Sequence, residues 1–139
     1  MAKLKYYQIA LEGIDKTGKD TIREYIYFLG KAKYICRTRG LISNMAYNIL
    51  FNRNYDYDIE AQQDVVYVYL TADKEDLDIR YKMTNENKID YDSHLKVFET
   101  ICNDFKSRGK IILTFNTSKM TPYAIAKAII SKMEELNHE

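Results

Sequence analysis

Short apolar runs alternate with amphipathic stretches along this 139-residue chain, and that order restricts the fold more than any other feature of the sequence. The runs at 6–11, 33–36, 65–70 and 111–115 predict strands, most strongly the third, which is rich in valine and tyrosine. Repeated strand–helix order predicts a parallel sheet covered by helices on both faces. We therefore expect an α/β fold with a sheet of about four parallel strands.

Amphipathic helices are predicted between and after these runs. Residues 20–29 carry apolar side chains at helical spacing and stop at Gly30, a residue that commonly caps helix C-termini. In the stretch 44–51 we expect Met45 and Ile49 to face the core, with Ala46 as a further candidate. Further helices are predicted at 73–83, at 91–108 and from Thr121-Pro122 onward. The apolar stripe of the helix at 91–108 consists of Leu95, Phe98, Ile101, Cys102 and Phe105.

The overall composition is that of an ordinary globular protein without a strong electric field. Hydrophobic residues make up 46% and charged residues 29%, and the formal net charge is +1. We therefore expect neither a nucleic acid nor a membrane as a partner, and any anion must bind at a local site. The length suits one domain, 1–139, and the sequence has neither a signal-peptide pattern nor a membrane-spanning run. We expect a cytoplasmic protein.

The two cysteines, Cys36 and Cys102, form no Cys-x-x-Cys motif, and no histidine lies close to either in sequence. This pattern predicts neither a disulfide framework nor a zinc site. We expect both to be core thiols in a reducing compartment.

The segment 13–21, Gly-Ile-Asp-Lys-Thr-Gly-Lys-Asp-Thr, matches the phosphate-binding pattern G-x-x-x-x-G-K-[ST] at every fixed position except the last. Two glycines let the backbone curl so that its amide groups point at phosphates, and the lysine and the helix N-terminus add positive charge. The predicted strand before the segment and the predicted helix after it are the context that the motif requires. We therefore expect a P-loop NTPase type of fold that binds ATP with Mg²⁺ through Gly13, Asp15, Lys16, Thr17, Gly18, Lys19, Asp20 and Thr21.

Asp20 stands where the pattern has serine or threonine. A carboxylate is a hard, charged ligand that suits Mg²⁺, although it also repels the polyphosphate. The hydroxyl of Thr21 is available one residue later. The sequence leaves open which of Asp20 and Thr21 binds the metal.

The segment from Ile9 to Lys19, Ile-Ala-Leu-Glu-Gly-Ile-Asp-Lys-Thr-Gly-Lys, resembles the N-terminus of thymidylate kinases. Its Gly-Lys-Asp-Thr ending is similar to the loop of some bacteriophage deoxynucleoside monophosphate kinases. Three further segments are similar to parts of the thymidylate kinase family, namely 38–48 to its Asp-Arg-Tyr segment, 77–80 to the arginine-bearing helix that enters the lid, and 116–129 to the loop and helix beside the adenine. The resemblance implies ATP-dependent phosphoryl transfer to a deoxynucleoside monophosphate, and a homodimer.

The resemblance also implies residue roles. Asp15 would hold the 3′-hydroxyl of the acceptor sugar, Arg39 would contact the acceptor phosphate, and Asn48 would approach the acceptor base. Arg80, with Lys82 or Lys88, would clamp the transferring phosphoryl group. The catalytic residues so implied are Lys19, Arg39 and Arg80.

The chain departs from the family pattern in its middle part. Thymidylate kinases are longer and have two strand segments where this chain has room for one, and Thr38 replaces the aspartate of the Asp-Arg-Tyr segment. These departures motivate an alternative to the preferred enzymatic interpretation, namely a non-catalytic kinase homologue that binds a nucleotide or a host protein partner. A kinase for free nucleosides or polynucleotide ends is a third, less favoured interpretation, and the near-neutral charge argues against the polynucleotide.

Overall fold

The computed structural model describes residues 4–14, 17–53, 64–83 and 91–138. Within these ranges four strands and five helices follow one another along the chain. They are β1 (Gln8–Glu12), α1 (Lys19–Leu29), β2 (Ile35–Arg37), α2 (Leu41–Leu50), β3 (Val65–Thr71), α3 (Lys74–Met83), α4 (Tyr91–Ser107), β4 (Ile111–Asn116) and α5 (Pro122–Asn137). The predicted order of strands and helices is confirmed.

The four strands form one parallel sheet in the order β2-β1-β3-β4. Gln8 to Glu12 pair in register with Val65 to Tyr69, so β1 and β3 run side by side at the centre of the sheet. The chain leaves β1 in one direction to form β2 and returns on the other side to form β3. The carboxyl ends of β1 and β3 therefore meet at a switch point, where open α/β sheets bind their ligands.

Two separate cores cover the two faces of the sheet. On one face, Ile9, Leu11 and the even-numbered residues of β3 pack against apolar side chains of α1 and α5. On the other face, Ala10, Tyr67 and Tyr69 pack against α2, α3 and α4. Alternation of side chains along each strand sends neighbouring residues to opposite faces, so both faces need helices. The predicted α/β architecture is confirmed.

Helix α2 differs most from its prediction. It begins at Leu41, three residues before the predicted start at 44, because the side chain of Glu12 accepts hydrogen bonds from backbone amides in its first turn. Ala46 is fully buried and Met45 is partly buried, but 58% of Ile49 is exposed. The expectation that Ile49 faces the core is therefore wrong, because Ile49 lies in the last turn of α2, beyond the part of the helix that the rest of the protein buries.

The two cysteines lie in apolar surroundings. Cys102 is buried, and Cys36 is half-buried against the core shared by α1 and α5. Burial raises the pKa of each thiol to about 12, so both are protonated at neutral pH and poorly nucleophilic. In the part of the chain that the structure describes, no helix is both long and apolar enough to cross a bilayer.

Asn137, at the end of α5, is hydrogen-bonded to the segment that precedes β1. Its side chain accepts from the N–H of Tyr6 and donates to the carbonyl of Tyr6, both at 2.8 Å. Replacing Asn137 with alanine leaves two half-buried backbone groups unpaired, so we expect a loss of about 1–2 kcal/mol in unfolding free energy. Urea denaturation measures this loss. Asn103→Ala, at an exposed position of α4, is the matched control, and an equal effect of both variants would contradict the prediction.

Candidate functional site

The loop between β1 and α1 lies at the switch point of the sheet. Gly13 directly follows β1 and has a φ of 136°, which side-chain-bearing residues rarely adopt. A Cβ atom placed on it would lie 2.3 Å from the carbonyl oxygen of Leu70 in β3. The loop can therefore pass this close to the end of β3 only because residue 13 is glycine.

Lys19 points back across the loop that precedes it. Its Nζ atom donates to the carbonyl oxygens of Gly13 at 2.9 Å and Ile14 at 2.7 Å, and lies 3.2 Å from Oγ1 of Thr17. Only 9% of Lys19 is exposed, and Thr17, whose hydroxyl donates to Ile14, is fully buried. The predicted loop residues Asp15 and Lys16 lie outside the described residues. The cationic end of Lys19 is thus held among loop carbonyls at the head of a helix.

The first turn of α1 presents backbone amide groups and two oxygen-bearing side chains. Gly18 occupies the N-cap with a φ of 80° and provides no side-chain cap. The first amides of a helix have no partner within the helix and are available to an anion. Asp20 and Thr21 are both exposed on this turn, so both predicted metal ligands are accessible. Within the described residues no three His, Cys, Asp or Glu side chains group as a metal site.

Arg80, on α3, is connected to the same edge of the sheet. Its Nη1 atom donates to Oγ1 of Thr117 at 3.2 Å, and that hydroxyl donates to the carbonyl of Thr71 at 3.1 Å. Thr71 ends β3 and follows Leu70, against which Gly13 packs. The structure therefore brings the predicted residue Arg80 to the edge that carries the predicted phosphate loop. Lys82 is exposed, and Lys88 lies outside the described residues.

The loop after β4 is held to the start of α3 by several polar contacts. Asn116 Nδ2 donates to Asp73 Oδ1 at 3.0 Å, the N–H of Asp73 donates to Ser118 at 2.8 Å, and Lys119 pairs with Asp73 at 3.4 Å. The hydrogen bond from Asn116 lowers the pKa of the Asp73 carboxyl group, and Lys119 adds to this effect. This network holds in place the segment that resembles the loop beside the adenine in thymidylate kinases.

Arg39 and Asn48, the predicted acceptor residues, lie on the α2 side of the sheet. The guanidinium of Arg39 is 5.6 Å from the ring centre of Tyr47. Arg39 also lines a cavity of about 230 Å³, whose described walls come from β1, β2, α2 and the residues at the start of β3 rather than from the phosphate loop. Asn48 is buried, with 7% of its surface exposed. Arg39 thus lies at a cavity that extends to the amino ends of β1 and β3, whereas the predicted phosphate loop follows the carboxyl end of β1.

Glu12 is a residue of this region to which the sequence analysis assigned no role. It ends β1 with none of its surface exposed and accepts hydrogen bonds from Ile42 N–H at 2.6 Å, Ser43 N–H at 3.3 Å, Ser43 Oγ at 3.0 Å and Gly40 N–H. Burial raises the pKa of its carboxyl group, while these hydrogen bonds act in the opposite direction. A charged residue ending an otherwise apolar strand was the signal available in the sequence.

The fold resembles that of a solved protein structure. No protein-family model matches the sequence, and no curated protein does. The crystal structure of the YorR protein from Bacillus subtilis in complex with phosphorylated GDP is similar, with a TM-score of 0.77 and 19% sequence identity. The match covers 95% of this chain and 98% of that chain, so the short form of the fold is not peculiar to this sequence. Membership of the thymidylate kinase family stays a prediction, whereas the fold is α/β with a four-stranded parallel sheet.

Proposed function

We propose that the protein transfers a phosphoryl group from ATP to a nucleoside or deoxynucleoside monophosphate, with residues 1–139 acting as one kinase-like domain. The position of Lys19 carries this proposal. Its Nζ atom lies among the carbonyls of a glycine loop at the head of α1, beside the switch point of the sheet. The structural similarity to a protein crystallised with phosphorylated GDP supports a nucleotide as the ligand.

Phosphoryl transfer asks mainly for positioning and for positive charge around the transferring group. Lys19 and the amides of α1 would hold the donor phosphates, and Arg80 would approach them from beside Thr117, at the same carboxyl end of β3. Arg39 would bind the acceptor phosphate, because a guanidinium can bond two phosphate oxygens at once. Asp15 would hold the acceptor sugar and Asn48 would approach its base, as the sequence resemblance implies.

Mg²⁺ fits the residues present on the first turn of α1. The carboxylate of Asp20 and the hydroxyl of Thr21 are exposed oxygen ligands of the kind that Mg²⁺ prefers, and this ion usually binds through one or two protein oxygens plus substrate phosphates. When bound, the ion would neutralise charge on the donor phosphates. Because both groups are exposed, either Asp20 or Thr21 could bind the ion.

The proposal is tested by incubating the purified protein with ATP, Mg²⁺ and each common ribo- and deoxyribonucleoside monophosphate, guanine nucleotides included. Formation of a diphosphate from at least one acceptor is the expected result. Tight binding of ATP without product from any acceptor would instead favour the non-catalytic alternative. Homodimerisation and a host protein partner remain predictions from the sequence.

Replacing Arg80 with alanine is expected to lower kcat about tenfold and to leave the KM for ATP within about twofold of its original value. The physical reason is that a cation near the transferring group stabilises charge that develops only in the transition state. Steady-state kinetics measure both constants. Arg108→Ala is the control. Arg108 is exposed, directly follows α4 and pairs with Asp104. A normal kcat in Arg80→Ala would remove Arg80 from the mechanism.

A further inference from the structure

The carboxylate of Glu12 joins two parts of the proposed site that are far apart in sequence. Glu12 immediately precedes Gly13, the first residue of the phosphate loop, and it accepts a hydrogen bond from Gly40, which immediately follows Arg39. One buried side chain therefore connects the strand that carries the loop to the residue next to the proposed acceptor arginine.

The chemistry of this contact favours an ionised carboxylate. Its partners are the backbone amides of Gly40, Ile42 and Ser43 together with the Ser43 hydroxyl, and backbone amides can only donate. A carboxylate also suits the positive N-terminal end of α2. A glutamine at position 12 would keep the shape but turn an NH₂ donor toward other donors.

The space around Gly40 is too small for a side chain. A Cβ atom on Gly40 would lie 2.8 Å from the Cβ of Ala10 and 3.2 Å from both carboxylate oxygens of Glu12. The backbone of Gly40 is in an extended conformation, so the glycine is required here for space rather than for an unusual φ. An alanine at position 40 would push α2 away from the strand while leaving the charge of Glu12 unchanged.

We infer that Glu12 is a positioning residue that fixes the N-terminus of α2, and with it Arg39, relative to the phosphate loop, and thereby sets the affinity for the acceptor monophosphate. This inference rests on the proposed function, which supplies the two ligands. A residue that merely stabilises the fold would not affect the two ligands differently. A misplaced α2 weakens acceptor binding, whereas the donor phosphates still meet an intact loop.

The test compares Glu12→Gln and Gly40→Ala with the original protein, and Glu99→Gln, on an exposed position of α4, serves as control. Steady-state kinetics with ATP and the best monophosphate give both KM values. We expect the KM for the monophosphate to rise on the order of tenfold in both variants and the KM for ATP to stay within about twofold. The Glu99→Gln control should change neither constant.

A milder variant covers the case in which Glu12→Gln fails to fold. Ser43→Ala removes only the hydroxyl partner of Glu12, so the monophosphate KM should rise by about two- to fivefold with a normal circular dichroism spectrum. An unchanged monophosphate KM in the folded variants, or an equal rise of both KM values, overturns the inference alone. If the unmodified protein phosphorylates no monophosphate, the proposed function fails and the inference fails with it.

Discussion

Lys19→Ala is expected to bind ATP at least about 100-fold more weakly than the unmodified protein, a change of roughly 3 kcal/mol. The variant loses a cation that is held 2.7–2.9 Å from two loop carbonyls at the place where the donor phosphates would enter. A charge-assisted contact with phosphate is among the stronger polar interactions, and alanine offers no substitute for it. Isothermal titration calorimetry with ATP and Mg²⁺ measures the affinity.

The control for this experiment is Lys33→Ala. Lys33 is exposed and precedes β2, so it lies toward the amino ends of the strands, opposite the phosphate loop. Removing either lysine changes the net charge equally, and a general electrostatic effect would weaken both variants alike. An unchanged ATP affinity in Lys19→Ala, measured on folded protein, would exclude the loop as the phosphate site.

Gly13→Ala is expected to reduce the unfolding free energy by about 3–5 kcal/mol, a large part of the stability of a domain of this size. Two effects add at this position. A φ of 136° is strained for alanine, at about 1–3 kcal/mol, and the new methyl group would overlap the Leu70 carbonyl, to which its Cβ would lie at 2.3 Å. Urea denaturation measures the loss, and nucleotide affinity should fall as well.

Two other glycines separate these effects. Gly109 and Gly18 also have positive φ angles, 82° and 80°, but no atom lies within 4 Å of a Cβ placed on either. Alanine at these positions should therefore cost only the backbone strain, about 1–2 kcal/mol each. If Gly13→Ala is no more destabilising than Gly109→Ala, the close contact with β3 does not limit the loop.

Much of the architecture could be predicted because it depends on local patterns. The valine-rich run of β3, the stripe of α4 from Phe98 to Phe105 and the Thr121-Pro122 start of α5 each appear in the structure as expected. In α5, the Thr121 side chain accepts from Ala124 N–H and proline occupies the first turn. The glycine loop is similarly local, since its pattern and its flanking elements are continuous in sequence.

Contacts between distant residues could not be predicted in the same way. The start of α2 depends on Glu12, which is 28 residues before Gly40. Ile49 was wrongly assigned to the core because helical spacing does not show which turns of a helix the rest of the protein covers. Arg80 was selected only through a family resemblance. Its connection to Thr117 depends on where α3 lies relative to the loop after β4, which no local pattern encodes.

The sequence by itself determined the order of strands and helices and the position of the glycine loop, because hydrophobic periodicity and glycine placement act over a few neighbouring residues. Only the tertiary structure decided the strand order β2-β1-β3-β4, the close approach of Gly13 to Leu70 and the burial of Glu12 against α2. Those features depend on which segments meet in space. A carboxylate or a glycine has the same local preferences wherever it stands, and its role depends on the distant backbone that packs against it.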